Sequence, residues 1–260
     1  MTEQIWRLDR GIGPLVATAV HDGHTVRNEL AGYLALTDAE RLREEDPFTG
    51  NWTQVAATRV VGIRSRFEVD LNRPRDKAVY QTPEDAWGLL VWKGRVPGEL
   101  FQVSLAEYDA FYDAMHELFS DLVRQHGHFV VFDLHTYNHR RQGPNGPEAD
   151  SKGNPQVNIG TGSLNREKWG PVIDAFIDAL RAFDFPGGKL DVRENVKFQG
   201  GNWPRWIHEK YPESGVAIAI EFKKFFMDEW TGEPEQEFLE AIEDALRSTV
   251  PAVLDALKRI

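Results

Sequence analysis

The chain has 260 residues, 41% hydrophobic and 27% charged, a composition that suits a globular α/β fold with a sizeable core. Its formal net charge of −11 speaks against nucleic acid or an anionic membrane as the main partner, because both are gripped through Lys and Arg. The lack of cysteine excludes disulfides, thiolate metal sites and a cysteine nucleophile.

The opening segment MTEQIWRLDRGIGP has neither a basic start nor an apolar run, so no signal peptide is expected. The apolar stretches at 14–20 and 129–134 are too short to span a bilayer, and the cytoplasm is the expected location. Residues 15–20 (LVATAV) read as a buried central strand running into His21-Asp22-Gly23-His24. A helix starting near Thr37 is expected to end in the acidic run Glu44-Glu45-Asp46-Pro47. Residues 64–74 bring Arg64, Arg66, Asn72 and Arg73 together, and the fixed fork of arginine donors suits a carboxylate.

The clearest amphipathic helix is predicted over 105–126, with Tyr108, Phe111, Tyr112, Met115, Leu118, Phe119 and Leu122 on one face. Ser104 and Glu107 have the spacing of a capping box at its start. A second strand at 129–134 leads into Asp133-Leu134-His135-Thr136. Gly- and Pro-rich loops follow at 142–155 and 185–188, neither resembling a domain linker. A helix at 169–183 has Pro171 near its first turn. Residues 216–222 (VAIAIEF) form a third apolar strand carrying Glu221, and a last helix at 235–260 should be kinked or divided by Pro251. One domain over 1–260 is the expected organisation.

Three strands ending in ionisable residues can converge on one site, since open α/β sheets bind ligands beyond the carboxyl ends of their strands. His21 and His135 suit a metal ion, with Asp133 placed two residues before His135 to support its ring. A third ligand is needed. Asp46 is the first choice, while Glu45 and His24 compete for the place. Glu221, inside so apolar a strand, has the burial expected of a general base. Plainer readings stand beside these: loop and core histidines, a solvated acidic run, surface arginine pairs, and a Glu221 paired with Lys223 or Lys224.

In this order the segments resemble the N-formylglutamate amidohydrolase family, a distant relative of the zinc carboxypeptidases and aspartoacylase, from about residue 14 to residue 230. HDG at 21–23 is similar to the family's His-Ser-Gly-like turn, and EEDPFT at 44–49 to the acidic segment after it. VDLNR at 69–73 resembles the arginine-bearing strand, and FDLHT at 132–136 the Asp-x-His-Ser-like motif that supplies a metal-binding histidine. ENVKFQGGN at 194–202 is similar to an Asn-x-Pro-x-x-Gly-Gly loop, and AIEFKKFFMDE at 219–229 to the strand whose Glu is the general base. Asp22 replaces the usual small residue, His24 gives HxxH where carboxypeptidases have HxxE, and Phe198-Gln199 interrupts the Gly-Gly loop spacing.

The resemblance implies a mixed, largely parallel sheet flanked by helices, of the zinc-carboxypeptidase-like (phosphorylase/hydrolase-like) architecture. It implies an enzyme that uses one zinc ion per chain to hydrolyse a small N-acylated amino acid such as N-formylglutamate. Glu221 would be the general base, Arg66 or Arg64 the oxyanion stabiliser, and Asn72 and Arg73 (with Arg64) the grip on a substrate carboxylate. A zinc exopeptidase acting on short peptides and a catalytically silent small-anion-binding protein are the rival expectations.

Overall fold

The computed structural model describes residues 4–260; Met1, Thr2 and Glu3, at the start of the opening segment read for a signal peptide, lie outside the described residues. The elements in chain order are β1 (Trp6–Asp9), β2 (Leu15–Ala19), α1 (Asn28–Ala31), α2 (Asp38–Glu44), α3 (Thr49–Trp52), β3 (Thr58–Gly62), α4 (Gly98–His126), β4 (Phe129–Tyr137) and β5 (Val157–Gly160). They continue with α5 (Arg166–Ala182), β6 (Val192–Glu194), α6 (Asn202–Lys210), β7 (Gly215–Lys223) and α7 (Gln236–Leu257). Among the described residues the strands form one mixed sheet in the order β1-β3-β2-β4-β7-β5-β6. The central run β3-β2-β4-β7 is parallel, whereas β1 on β3 and β5 on β7 are antiparallel.

Strand periodicity sorts the side chains into two cores. Leu15, Ala17, Val130, Phe132, Leu134, Val216, Ile218 and Ile220 pack with apolar residues of α5 and α7. Val16, Phe129, Val131 and Ala217 point the other way and pack with α4 and α6. Burial on both faces explains why these strands read as continuous apolar runs. The same alternation puts Asp133 and His135 on the face of Phe129 and Val131, and Glu221 on the face of Ala217. Register then sets Thr18 beside Asp133 and His135 beside Glu221.

Several expectations are corrected. α4 begins at Gly98, so Ser104 is not its cap; it lies buried inside the helix, where its hydroxyl accepts from Arg27 at 2.8 Å. α5 begins at Arg166, capped by Asn165, which places Pro171 beyond the first turn. α7 is not divided at Pro251, which lies inside one continuous helix. Residues 69–73 are not a strand but a turn: the Asp70 carboxylate accepts from the Asn72 N–H at 2.8 Å, and the Arg73 N–H bonds to Asp70 O. Thr37 does cap α2, in a capping box with Glu40. No helix among the described residues is long and apolar enough to cross a membrane.

Candidate active site

The parallel strands β2, β4 and β7 end at a cavity of about 260 Å³. Its wall includes His21, Asp46, Arg66, Asn72, Arg73, His135 and Glu221; of the residues singled out for ligand, base or substrate roles, Arg64 and the competing ligands Glu45 and His24 are not part of it. Arg64 is the substrate-grip candidate that falls outside. It is buried, with its Nε 3.8 Å from Glu68, and is not part of the wall.

At the centre, His21, Asp46 and His135 each offer one ligand atom, and these atoms lie within 4.8 Å of one another. Asp46 Oδ2 is 2.9 Å from His135 Nδ1 and 3.4 Å from His21 Nδ1. The far nitrogens are backed by carboxylates: His21 Nε2 meets Asp70 at 2.7 Å, and His135 Nε2 meets Asp133 at 3.1 Å. Metal-bound histidines are usually supported in this way, because the outer carboxylate fixes the ring and raises its basicity. Among the described residues His21 Nδ1 is buried without a hydrogen-bond partner, an orphan that needs an acceptor of its lone pair or its proton. Three carboxylates around two imidazoles give an excess of negative charge that a cation, proton or metal, neutralises. The donor set of two nitrogens and one carboxylate is that of a catalytic zinc site with an open position.

The competing ligands turn away from this centre. His24 Nδ1 lies 2.5 Å from Glu45 Oε2, and the other Glu45 oxygen accepts from Ser65. Asp46 is instead held towards the histidines by its own N–H to His21 O at 3.0 Å and by the Thr136 hydroxyl at 2.9 Å. Lys224 fixes the same segment, donating to the carbonyls of Arg43 and Glu45 at 2.6 and 2.8 Å, as a cation at a helix C-terminus should.

The electrostatics follow from this crowding. Burial pushes the Asp46 carboxyl up, but the hydrogen bond from His135 and the His21 ring nearby outweigh it and hold it below the usual range. Burial opposes the charge of His135, yet Asp133 and Asp46 lift its pKa well above the usual value. Glu221 behaves in the opposite sense. Burial raises it to about 7, with the His135 charge working against the shift. Its carboxylate makes no hydrogen bond or ion pair among the described residues, and Lys224 is committed elsewhere, so pairing with lysine is not what holds it.

Arg66 is locked beside the triad. It donates to Asp70 at 2.9 Å, to Tyr80 at 3.3 Å and to the Glu44 carbonyl at 3.4 Å, and it stacks on Trp87 with 4.9 Å to the ring centroid. Asn72 accepts from the Trp203 N–H at 2.8 Å, while its amide nitrogen is 3.3 Å from His135. That close approach needs Gly201, where an added Cβ would lie 2.3 Å from Asn72 Oδ1. Arg73 lies under the rings of Tyr80 and Trp87 and donates to the Asp85 carbonyl at 3.2 Å.

Asp70, Tyr80, Trp87 and Arg141 had no assigned place in the sequence reading. Only Asp70 carried a signal, as the carboxylate two residues before Asn72, much as Asp133 precedes His135. Its contact to His21 spans 49 residues, which spacing alone does not reveal.

The model of the N-formylglutamate amidohydrolase family matches residues 13–227. The chain superposes on the N-formylglutamate amidohydrolase of Ralstonia eutropha with a TM-score of 0.73 at 15% identity, covering 99% of each chain. A gene product of Agrobacterium tumefaciens gives a TM-score of 0.66 at 17% identity, covering 97% of this chain and 96% of the other. At such identities these likenesses establish the fold alone. A metallo-carboxypeptidase of Burkholderia cenocepacia, 13% identical over 93% of this chain and 56% of its own, reaches a TM-score of only 0.39, too low to carry an argument. No curated protein matches the chain.

Proposed function

The chain belongs to the N-formylglutamate amidohydrolase family and is a hydrolase of carbon–nitrogen bonds; from that premise we propose that it uses zinc to cleave the acyl amide bond of a small N-acylated amino acid such as N-formylglutamate. The observation that carries this reading is the convergence of His21, Asp46 and His135 beside a half-buried, unpaired Glu221. The donor set fits the metal. Zinc held by these three residues would supply a Lewis acid that lowers the pKa of water and polarises the scissile carbonyl.

The chain's own residues do the rest. Asp70 and Asp133 hold the two rings by their far nitrogens, so each Nδ1 is turned towards Asp46 and would be free to hold the metal with it. Glu221 takes a proton from the attacking water as its oxygen bonds to the carbonyl carbon, then delivers it to the amine nitrogen as the C–N bond breaks. A carboxyl group at about 7 is well matched to both halves of that transfer. Arg66, already oriented by Asp70, Tyr80 and Trp87, presents its charge to the developing oxyanion without reorganising. Asn72 and Arg73 hold the substrate carboxylate. A cavity of about 260 Å³ suits a single acyl amino acid better than a peptide chain, which disfavours the exopeptidase reading.

The test is elemental analysis with turnover of N-formyl-L-glutamate. We expect about one zinc per chain, and His135→Ala should lose metal and activity together while its circular dichroism stays native. Full zinc occupancy in that variant, or a zinc-loaded parent that turns over no N-acyl amino acid, would overturn the reading.

A further inference from the structure

The pocket has cations on two walls, and only one set has a role so far. Arg66, Asn72 and Arg73 come from the segment after β3. Arg141 comes from the loop after β4 and also lines the cavity. Its side chain is 57% exposed and donates no hydrogen bond among the described residues. The nearest carboxylate is Glu44 at 3.7 Å, beyond hydrogen-bond reach, and Glu44 is already engaged by Arg43 at 2.6 Å. Lys197, on the loop after β6, stands behind the wall: it is not a lining residue itself, but it lies against Tyr137 and Phe198, which are. Its ammonium donates to the Asn154 side chain at 2.5 Å and lies over the rings of Tyr137 and Phe198, with no carboxylate in ion-pair range among the described residues. Burial first, and the charge of Arg141 second, hold Lys197 below the usual lysine range, so the two cations feel each other.

The remaining basic groups of the wall are occupied. Arg66 is tied to Asp70, and Lys224 to two backbone carbonyls. Among the described residues both cations keep spare donors, and Glu44 at 3.7 Å is the one wall carboxylate near Arg141, so a ligand carboxylate would find free donors at this end. Phe198 and Tyr137, packed edge to face at 5.6 Å, line the same part of the cavity and can cover the methylene stem of a short side chain.

We propose that Arg141, with Lys197 beside it, forms a second anion-binding end of the pocket that takes the side-chain carboxylate of an acidic N-acyl amino acid. The assignment rests on the amidohydrolase reading above, with Asn72 and Arg73 holding the other carboxylate. Arg141 donates its planar fork directly to the carboxylate, and Lys197 adds charge from behind. The enzyme then selects acidic substrates by a loop residue remote in sequence from the arginines near the triad.

The experiment compares N-formyl-L-glutamate with N-formyl-L-glutamine on the zinc-loaded enzyme, and L-glutamate with L-glutamine by calorimetry. The two compounds of each pair differ only in the terminal carboxylate. The parent should favour the acid in both pairs, and Arg141→Gln should reduce that preference by a factor on the order of 10 to 100, chiefly through KM. Lys197→Gln should reduce it less. Equal losses on acid and amide would show a structural role, and an unchanged ratio would place the subsite elsewhere; either overturns the proposal. If the parent hydrolyses neither formyl compound, the amidohydrolase reading fails, while the calorimetric ratio still decides the role of Arg141.

Discussion

His21 and His135 on one side, and His208 on the other, are all buried to within a few per cent of full, yet their surroundings are opposite. The first two sit between carboxylates at strand ends, and His21 keeps a nitrogen unpartnered at the pocket. His208 sits on α6 with both ring nitrogens served by neutral groups: Ser163 Oγ at 2.8 Å from Nδ1, and the Ala217 N–H, which donates to Nε2 at 3.0 Å. Carboxylates lift His135 against burial, whereas burial drives His208 down to about 4. A buried imidazole is thus prepared for a cation where anions back it, and is a structural acceptor where amides and hydroxyls complete it. Burial alone does not separate the two.

The sharpest way to break this comparison is at Glu221, the group whose chemistry the backed histidines are proposed to serve. Glu221→Gln keeps the shape and hydrogen-bonding capacity but cannot take a proton. A loss on the order of 10²–10⁴ in kcat is expected, with zinc retained. Near-normal turnover would remove the reason for placing a general base there. A smaller effect is expected one contact further out. Asp70→Asn leaves a neutral acceptor against His21 Nε2, and it also loosens Arg66 and Tyr80 from their shared carboxylate. Loss of such a supporting contact typically weakens metal binding by roughly 10–100-fold. Titration with a competing chelator reads this directly, and an unaltered zinc affinity would mean that the carboxylate backing is incidental.

Much of the fold and part of the site were legible in the sequence, for identifiable reasons. The strands of LVATAV, FVVFDL and VAIAIEF stood out because burial on both faces removes the polar alternation. The ionisable residue at each end was then placed by a general property of such sheets. The choice of Asp46 over Glu45 and His24 was not legible in the same way. It depends on Lys224 and Thr136 turning the end of α2, and both are far away in the chain. Ser104 misled because a serine three residues before a glutamate also occurs inside helices, where it bonds to other elements. Pro251 does not divide α7 because the packing of the helix, with Thr249 and Val253 buried on either side of it, outweighs the loss of one helical hydrogen bond. Arg141 lies in a loop with no periodicity, so only the folded pocket brings it into view.

The smallest expected effect concerns His208 and is one of stability. With its folded pKa near 4 and an ordinary value of 6.5, the folded state resists a proton that the unfolded chain accepts between those values. The contribution is therefore fully present above pH 6.5 and is lost as pH falls towards 4; the full depression corresponds to about 3 kcal/mol. The cause is specific: a protonated ring has no lone pair left for the Ala217 N–H, and that bond ties α6 to β7. Glu221 and Asp22, raised by burial to about 7 and about 6, also take up protons as the pH falls towards this range and work in the opposite direction. The difference between parent and variant isolates the histidine from them. His208→Gln can still accept from Ala217 but does not titrate. Denaturant unfolding of both proteins at pH 7 and pH 4.5 should show the larger acid loss in the parent, with turnover at pH 7 retained in the variant. Equal acid losses would show that His208 carries no proton-linked stability, and the contrast with the backed histidines would then rest on geometry alone.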